Sequence, residues 1–334
     1  MGRDVEAVLS DLQQFSNNVS GKTFLVTGGS GFLGSWICEV LAAMNAKVIC
    51  LDNLSSGFKK NVEDLIKNGE ITFVETDVSY FDTGEHIDFI IHMASIASPP
   101  LYQKHPIETL DANILGTRKM LELAKKNRAT LLFTSTSEIY GDTSKIPTPE
   151  SDYGNVNPYG PRAVYDEGKR AAEAYCYAHR KKFGTKVRIA RIFNTYGPRL
   201  DIKQTSQYSR VVIKFIEQAL SSKPLTVYGS GKQTRSFCYI TDVITGLIKF
   251  LLTPSLDGEV VNLGSDEEIT ILELADKIIK LTGSWSKIKF EDLPEDDPKR
   301  RCPDLSKAKR LLNYSNKVPL EAGLKKTIEW FKER

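Results

Sequence analysis

The chain has 334 residues, 41% of them hydrophobic and 26% charged, with a formal net charge of +3. That length suggests about two domains, or one large α/β unit, with a sizeable core. The slight charge surplus argues against a nucleic-acid partner or an anionic membrane surface.

Five cysteines (Cys38, Cys50, Cys176, Cys238 and Cys302) form no CxxC pair, and the four histidines lack metal-site spacing. Reduced thiols, a cytoplasmic protein and no metal are therefore expected. No uncharged apolar run approaches a membrane span of about 18 residues, and the early acidic residues do not suit a secretory signal.

Residues 1–20 place Val5, Val8, Leu9, Leu12 and Phe15 at helical spacing. An extra amphipathic helix docked on the body is expected. The alternative, a helix lying on a membrane surface, has almost no Lys or Arg to support it. Residues 23–27 then form an apolar strand that runs directly into Gly28-Gly-Ser-Gly31-Phe-Leu-Gly34, and Trp36, Ile37, Val40 and Leu41 continue as a helix. Strand, glycine turn and helix in that order suit a dinucleotide: backbone can approach the pyrophosphate, and the helix start offers unpaired N–H groups. The next strand, 47–51, ends in Asp52. A carboxylate there accepts from ribose hydroxyls and repels a 2′-phosphate, favouring NAD over NADP. A purely structural glycine turn is the plainer alternative.

A third strand at 71–74 precedes Asp77 and Val78, and a fourth at 89–92 precedes Met93, Ala94 and Ser95. Small residues at strand carboxyl ends leave room for a ligand. A long helix is expected over 107–125 with Asn113 inside it, where a buried Asn is more often structural than catalytic. The fifth strand, 131–134, leads into Ser135-Thr136-Ser137-Glu138, which reads as cleft chemistry or simply as a turn and cap. Residues 142–162, rich in Pro, Gly, Asp and Asn, are expected to form a loop over the cleft.

The helix that follows carries Tyr165 and Lys169, four residues apart and so on one face. A phenol ionises near pH 10, but a fixed ammonium favours the phenolate. The pair can take a proton from a sugar hydroxyl while a cofactor takes the hydride; a surface aromatic beside a solvated Lys is the plain alternative. Ala171, Ala172, Ala174 and Ala178 give this helix a small-residue face suited to packing on another helix. A sixth strand, 187–193, ends in Asn194. Beyond it the alternation breaks down into helices at 208–220, 242–252 and 271–281, a strand at 225–228, a glycine loop at 229–235 and a charged, proline-broken loop at 294–304. The fold class is α/β: a Rossmann-type doubly wound parallel sheet over 21–194, with a smaller C-terminal α/β substrate-binding region over 195–334.

Gly28-x-x-Gly31-x-x-Gly34, Thr136 and Tyr165-x-x-x-Lys169 together resemble the extended short-chain dehydrogenase/reductase superfamily, over nearly the whole chain. Within it the sequence is most similar to the UDP-glucuronic acid decarboxylases, or UDP-xylose synthases. The stretches that carry this are Ala97-Ser-Pro-Pro100, Thr134-Ser-Thr-Ser-Glu138-Ile-Tyr-Gly-Asp142, Asn157-Pro-Tyr-Gly-Pro-Arg162, Tyr165-Asp-Glu-Gly-Lys-Arg170, Asn194-Thr-Tyr-Gly-Pro-Arg199 and Leu225-Thr-Val-Tyr-Gly-Ser-Gly231. Gly168, before the lysine, is the decarboxylase habit where related epimerases and dehydratases usually carry Ser.

The resemblance implies a mechanism. Tyr165, tuned by Lys169 and beside Thr136, deprotonates the carbon-4 hydroxyl while NAD+ accepts the hydride. The 4-keto glucuronate loses carbon dioxide through an enolate, carbon 5 is protonated, and the hydride returns to carbon 4. Ser137 and Glu138 are expected near carbons 4 and 5, with Arg235 near the carboxylate end. The implied cofactor set is Gly28, Gly31, Phe32, Leu33, Gly34, Asp52, Asn53, Ser55, Ser56, Gly57, Asp77, Val78, Met93, Ala94, Ser95, Thr134, Tyr165 and Lys169. The implied substrate set is Tyr102, Asn113, Glu138, Asn194, Arg210, Tyr228 and Arg235, with Arg210 on a phosphate. A homodimer joined by helix packing is the family habit. Two departures stand out: a divergent segment over 202–208, and Asp111 where decarboxylases often carry Lys. The nearest alternative activity is a UDP-glucuronate or UDP-glucose 4-epimerase.

Overall fold

A computed structural model describes residues 2–200, 211–293 and 298–333. Its centre is a seven-stranded parallel sheet. In chain order the strands are β1 (Thr23–Thr27), β2 (Lys47–Asp52), β3 (Ile71–Glu75), β4 (Phe89–His92), β5 (Thr130–Thr136), β6 (Lys186–Ile192) and β7 (Val260–Leu263). They lie side by side in the order β7-β6-β5-β4-β1-β2-β3, and every pairing is parallel. Phe24, Leu25 and Val26 of β1 are fully buried, as are Leu131, Leu132 and Phe133 of β5. This is the burial of strands covered by helices on both faces.

Strand order reverses between β1 and β4, where Thr27 pairs with His92. At such a switch point the chain leaves the sheet in opposite directions and opens a crevice at the carboxyl ends. Thr27 and His92 are themselves buried. Their side chains meet at 2.8 Å, and the other ring nitrogen of His92 lies 3.0 Å from Thr117 Oγ1. Burial, and then the nearby Lys169 charge, pushes the imidazole down to about 3, so it acts here as a neutral link between sheet and helix.

The N-terminal helix, Gly2–Leu12, buries Val5, Val8 and Leu12 against helices Phe32–Ala43 and Ile240–Leu252. Its polar anchor is Asp4, which accepts from Tyr239 Oη at 2.8 Å and pairs with Lys326. The expected long helix runs over 106–127, but a π turn at Ala112–Gly116 interrupts it. Gly116 sits in that turn because a Cβ there would come within 2.5 Å of Val78 Cγ1.

The second region is richer in strand than expected. Thr195–Tyr196 pairs with Cys238–Tyr239, and Leu225–Tyr228 with Ile288–Glu291. The glycine loop ends earlier than expected, because Thr234–Ser236 is a strand between Glu268–Thr270 and Arg300–Arg301. Arg235 is therefore a strand residue. Arg300 and Arg301, read from sequence as loop, are its parallel neighbours. β7, also absent from the sequence reading, lies in this part of the chain yet completes the central sheet.

Candidate active site

The carboxyl ends of the sheet and the second region enclose a cleft of about 1290 Å³. That is larger than a typical single-ligand pocket of roughly 300–1,000 Å³. The expected site residues line it, with two exceptions. Arg210 lies outside the described residues. Asn113 needs correction: it is fully buried and is not on the cleft wall. It sits in the π turn against the Tyr165 helix, where a Cβ on Gly168 would approach its Nδ2 to 3.1 Å. Gly168 thus has a steric reason, since a larger residue there would crowd Asn113.

Tyr165 and Lys169 stand on helix Ala163–Phe183. The Tyr165 ring stacks on Tyr102, centroids 5.4 Å apart and planes 3° from parallel. Lys169 is buried; its Nζ donates to the Thr134 carbonyl at 2.9 Å and lies 4.8 Å from the Phe133 ring centroid. Burial lowers this lysine to about 7. Thr136 ends β5, and its hydroxyl caps the following turn by accepting from Glu138 N at 3.2 Å.

Glu138 is held by two guanidiniums, Arg162 and Arg301. Burial alone would raise its carboxyl, but Arg301 and Arg162 outweigh burial and bring it down to about 2. Asp166 lies beside this cluster, its Oδ2 3.9 Å from Arg162 Nε. Burial, and then the Glu138 charge, raises Asp166 to about 8 against the opposing pull of Arg162. Glu138 is thus a carboxylate gripped by two guanidiniums, with Asp166 held toward its acid form beside them. The exposed Asp111 is on the rim, solvated and outside this buried group. Arg162, Asp166 and Arg301 are the main residues missed from sequence. Arg162 could have been found from its place one turn before Tyr165; nothing local marks Arg301.

Arg235 donates to the backbone carbonyls of Thr234 at 2.9 Å, Lys299 at 3.3 Å and Pro298 at 2.6 Å. It anchors the 298–301 segment, which brings Arg301 to Glu138. Tyr228 accepts from Lys214 Nζ at 3.0 Å. Asn194 donates to Ser236 O at 3.4 Å.

The dinucleotide end fits a pyrophosphate and a ribose. Gly28 adopts φ +68°, and a Cβ there would meet Ala94 N at 2.9 Å. At Gly34 a Cβ would fall 2.1 Å from the Gly28 carbonyl. The turn is thus closed to side chains and open to a ligand. Asp52 accepts from Ser30 N at 3.0 Å and Leu54 N at 2.8 Å, which fixes its carboxylate at the end of β2. Gly57 packs on it, where a Cβ would lie 2.7 Å from Asp52 Oδ2. Asn53 donates to Asp77 at 2.9 Å. Ser95, Ser98, Tyr102 and Ser135 line the cleft, and their buried hydroxyls have no hydrogen-bond partner among the described residues. Asp52→Asn is expected to weaken NAD binding about tenfold, roughly one charge-assisted hydrogen bond, and to narrow the preference over NADP. Titration with each dinucleotide checks it.

The family model for the NAD dependent epimerase/dehydratase family matches residues 24–264. The chain is 47% identical over 321 residues to "UDP-glucuronic acid decarboxylase 1" of Danio rerio, covering 95% of this chain and 74% of that one. It is 44% identical over 313 residues to "UDP-glucuronic acid decarboxylase 4" of Arabidopsis thaliana, covering 93% and 68%. Among solved structures it is similar to the UDP-glucuronic acid 4-epimerase from Bacillus cereus in complex with UDP-glucuronic acid and NAD (TM-score 0.83, 30% identity, 93% of this chain and 99% of that one). It is also similar to the UDP-glucose 4-epimerase of Thermotoga maritima with UDP-glucose (TM-score 0.85, 29% identity, 93% and 99%).

Proposed function

The chain belongs to the NAD dependent epimerase/dehydratase family, and from that premise we propose that it converts UDP-glucuronate to UDP-xylose and carbon dioxide. The observation that carries this reading is the pair of guanidiniums, Arg162 and Arg301, gathered on Glu138 in the cleft that Tyr165 also lines. A glucuronate oxidised at carbon 4 carries its carboxylate on the adjacent carbon 5, and guanidiniums in the cleft suit that anion.

Gly28, Gly31 and Gly34 would hold the diphosphate of NAD and Asp52 its ribose. Bound there, the cofactor supplies hydride acceptance at carbon 4 and its return. Tyr165 exchanges the proton of the carbon-4 hydroxyl, with Lys169 one turn along stabilising the phenolate. Arg162 and Arg301 orient the carboxylate and stabilise the charge that moves into the ring as carbon dioxide leaves. Arg235 acts by fixing the segment that carries Arg301. Asn194 and Tyr228 face the nucleotide end, and Arg210 is proposed for a phosphate there. A cytoplasmic homodimer is proposed on the strength of the buried thiols and the apolar Ile107, Leu115 and Tyr177 exposed on neighbouring helices. Incubation with UDP-glucuronate and catalytic NAD+ is expected to release carbon dioxide and UDP-xylose. Formation of UDP-galacturonate without gas would identify a 4-epimerase instead.

A further inference from the structure

Beyond the reacting end, one buried cation in the cleft is unaccounted for. Arg199 closes the Gly197-Pro198-Arg199 turn with φ +73°, a left-handed conformation unfavourable for a non-glycine residue. It is 8% exposed and lies on the cleft wall. Three contacts fix it to the helix that follows the glycine turn, Phe32–Ala43. Its guanidinium lies 4.6 Å from the Trp36 ring centroid and pairs with Glu39, while Trp36 Nε1 donates to the Pro198 carbonyl at 3.2 Å. Its other terminal nitrogen, Nη1, is buried and has no hydrogen-bond partner among the described residues. A buried N–H left unpaired is costly, because its desolvation is not repaid by a bond. Backbone strain and an unmet donor thus coincide in a side chain that ring and carboxylate prevent from turning away.

The position of Arg199 suggests what meets that donor. Trp36 is one helical turn, about 6 Å, beyond Phe32 at the helix start. Val211 and Val212, which open helix Val211–Leu220, line the same cleft. Arg199 is therefore packed one turn from the start of helix Phe32–Ala43, in a cleft that helix Val211–Leu220 also lines, and a helix N-terminus suits a phosphate. We propose that Arg199 is a diphosphate-binding residue whose Nη1 donates to an oxyanion of a nucleoside diphosphate in the cleft. The assignment rests on the reading of the cleft as a site for a dinucleotide and a nucleotide sugar. Two sources share this chemistry, the dinucleotide and the UDP moiety.

The test is direct binding of NAD+ and of UDP, titrated separately on the full chain. Arg199→Gln is expected to lose about tenfold or more in affinity for one of them, with Arg199→Lys between it and the wild type. Loss for NAD+ alone assigns the oxyanion to the dinucleotide; loss for UDP alone assigns it to the nucleotide sugar. Glu39→Gln, which leaves the arginine in place, is expected to keep both affinities within about threefold. Two results overturn the proposal: unchanged affinity for both ligands in the lysine or glutamine variant, or a loss in Glu39→Gln equal to that in Arg199→Gln. The latter would mean that only packing is involved. Because the readout is binding rather than gas release, failure here leaves the decarboxylase reading standing, and failure of turnover leaves this one standing.

Discussion

Tyr165→Phe is expected to lower turnover of UDP-glucuronate by about a thousandfold, in the range general acid–base groups supply. The substitution removes one oxygen and little else. The ring keeps its parallel contact with Tyr102, and the helix keeps Lys169 against the Thr134 carbonyl. NAD and UDP affinities should stay within about twofold, so the loss falls on kcat and not on KM. Rapid-quench measurement of UDP-xylose and carbon dioxide, with separate binding titrations, checks both halves. Activity within about tenfold of the wild type would mean that another group moves the proton.

The parts of this fold legible in sequence are those where local pattern and burial agree. β1, the glycine turn and the helix after it follow from an apolar run, three glycines at fixed spacing and an apolar helical face. β7 is absent from the sequence reading although Gly258 and Gly264 bound it, because Val260–Leu263 is only four residues long and only its pairing with β6 makes it a central strand. The strand Arg300–Arg301 was hidden for a stronger reason. Its two residues are charged, and they are extended because Thr234–Ser236 lies alongside and Arg235 binds the carbonyls before them. Similarly, Tyr165 and Lys169 declare themselves by spacing, while Arg301 reaches Glu138 across 163 residues, a contact set by tertiary structure alone. Asn113, implied as a substrate residue only by the family resemblance, lies buried in the π turn beside Gly168.

The second large effect is expected at Lys169, where stability and activity should part. Lys169→Met is expected to lower turnover by about a hundredfold to a thousandfold, because the phenolate at Tyr165 loses its stabilising cation. The variant should nevertheless be as stable as the wild type at pH 6 or more so. Burial lowers the folded-state value of Lys169 from 10.5 to about 7. Below about 7 the folded protein keeps a charged ammonium buried, and that cost is fully present. Between about 7 and 10.5 the unfolded chain still binds the proton and the folded chain does not. Stability contributed by this residue therefore rises with pH across that window. Methionine fills the volume of the lysine stem without a charge, so this component of the pH slope should disappear. Tm measured without added nucleotide from pH 6 to 10 on both proteins tests the argument. If the methionine variant melts far below the wild type throughout and keeps the same slope, Lys169 is held for packing and its hydrogen bond to Thr134. If the slope flattens while Tm at low pH is maintained, the buried ammonium is a charge the fold tolerates for the chemistry at Tyr165.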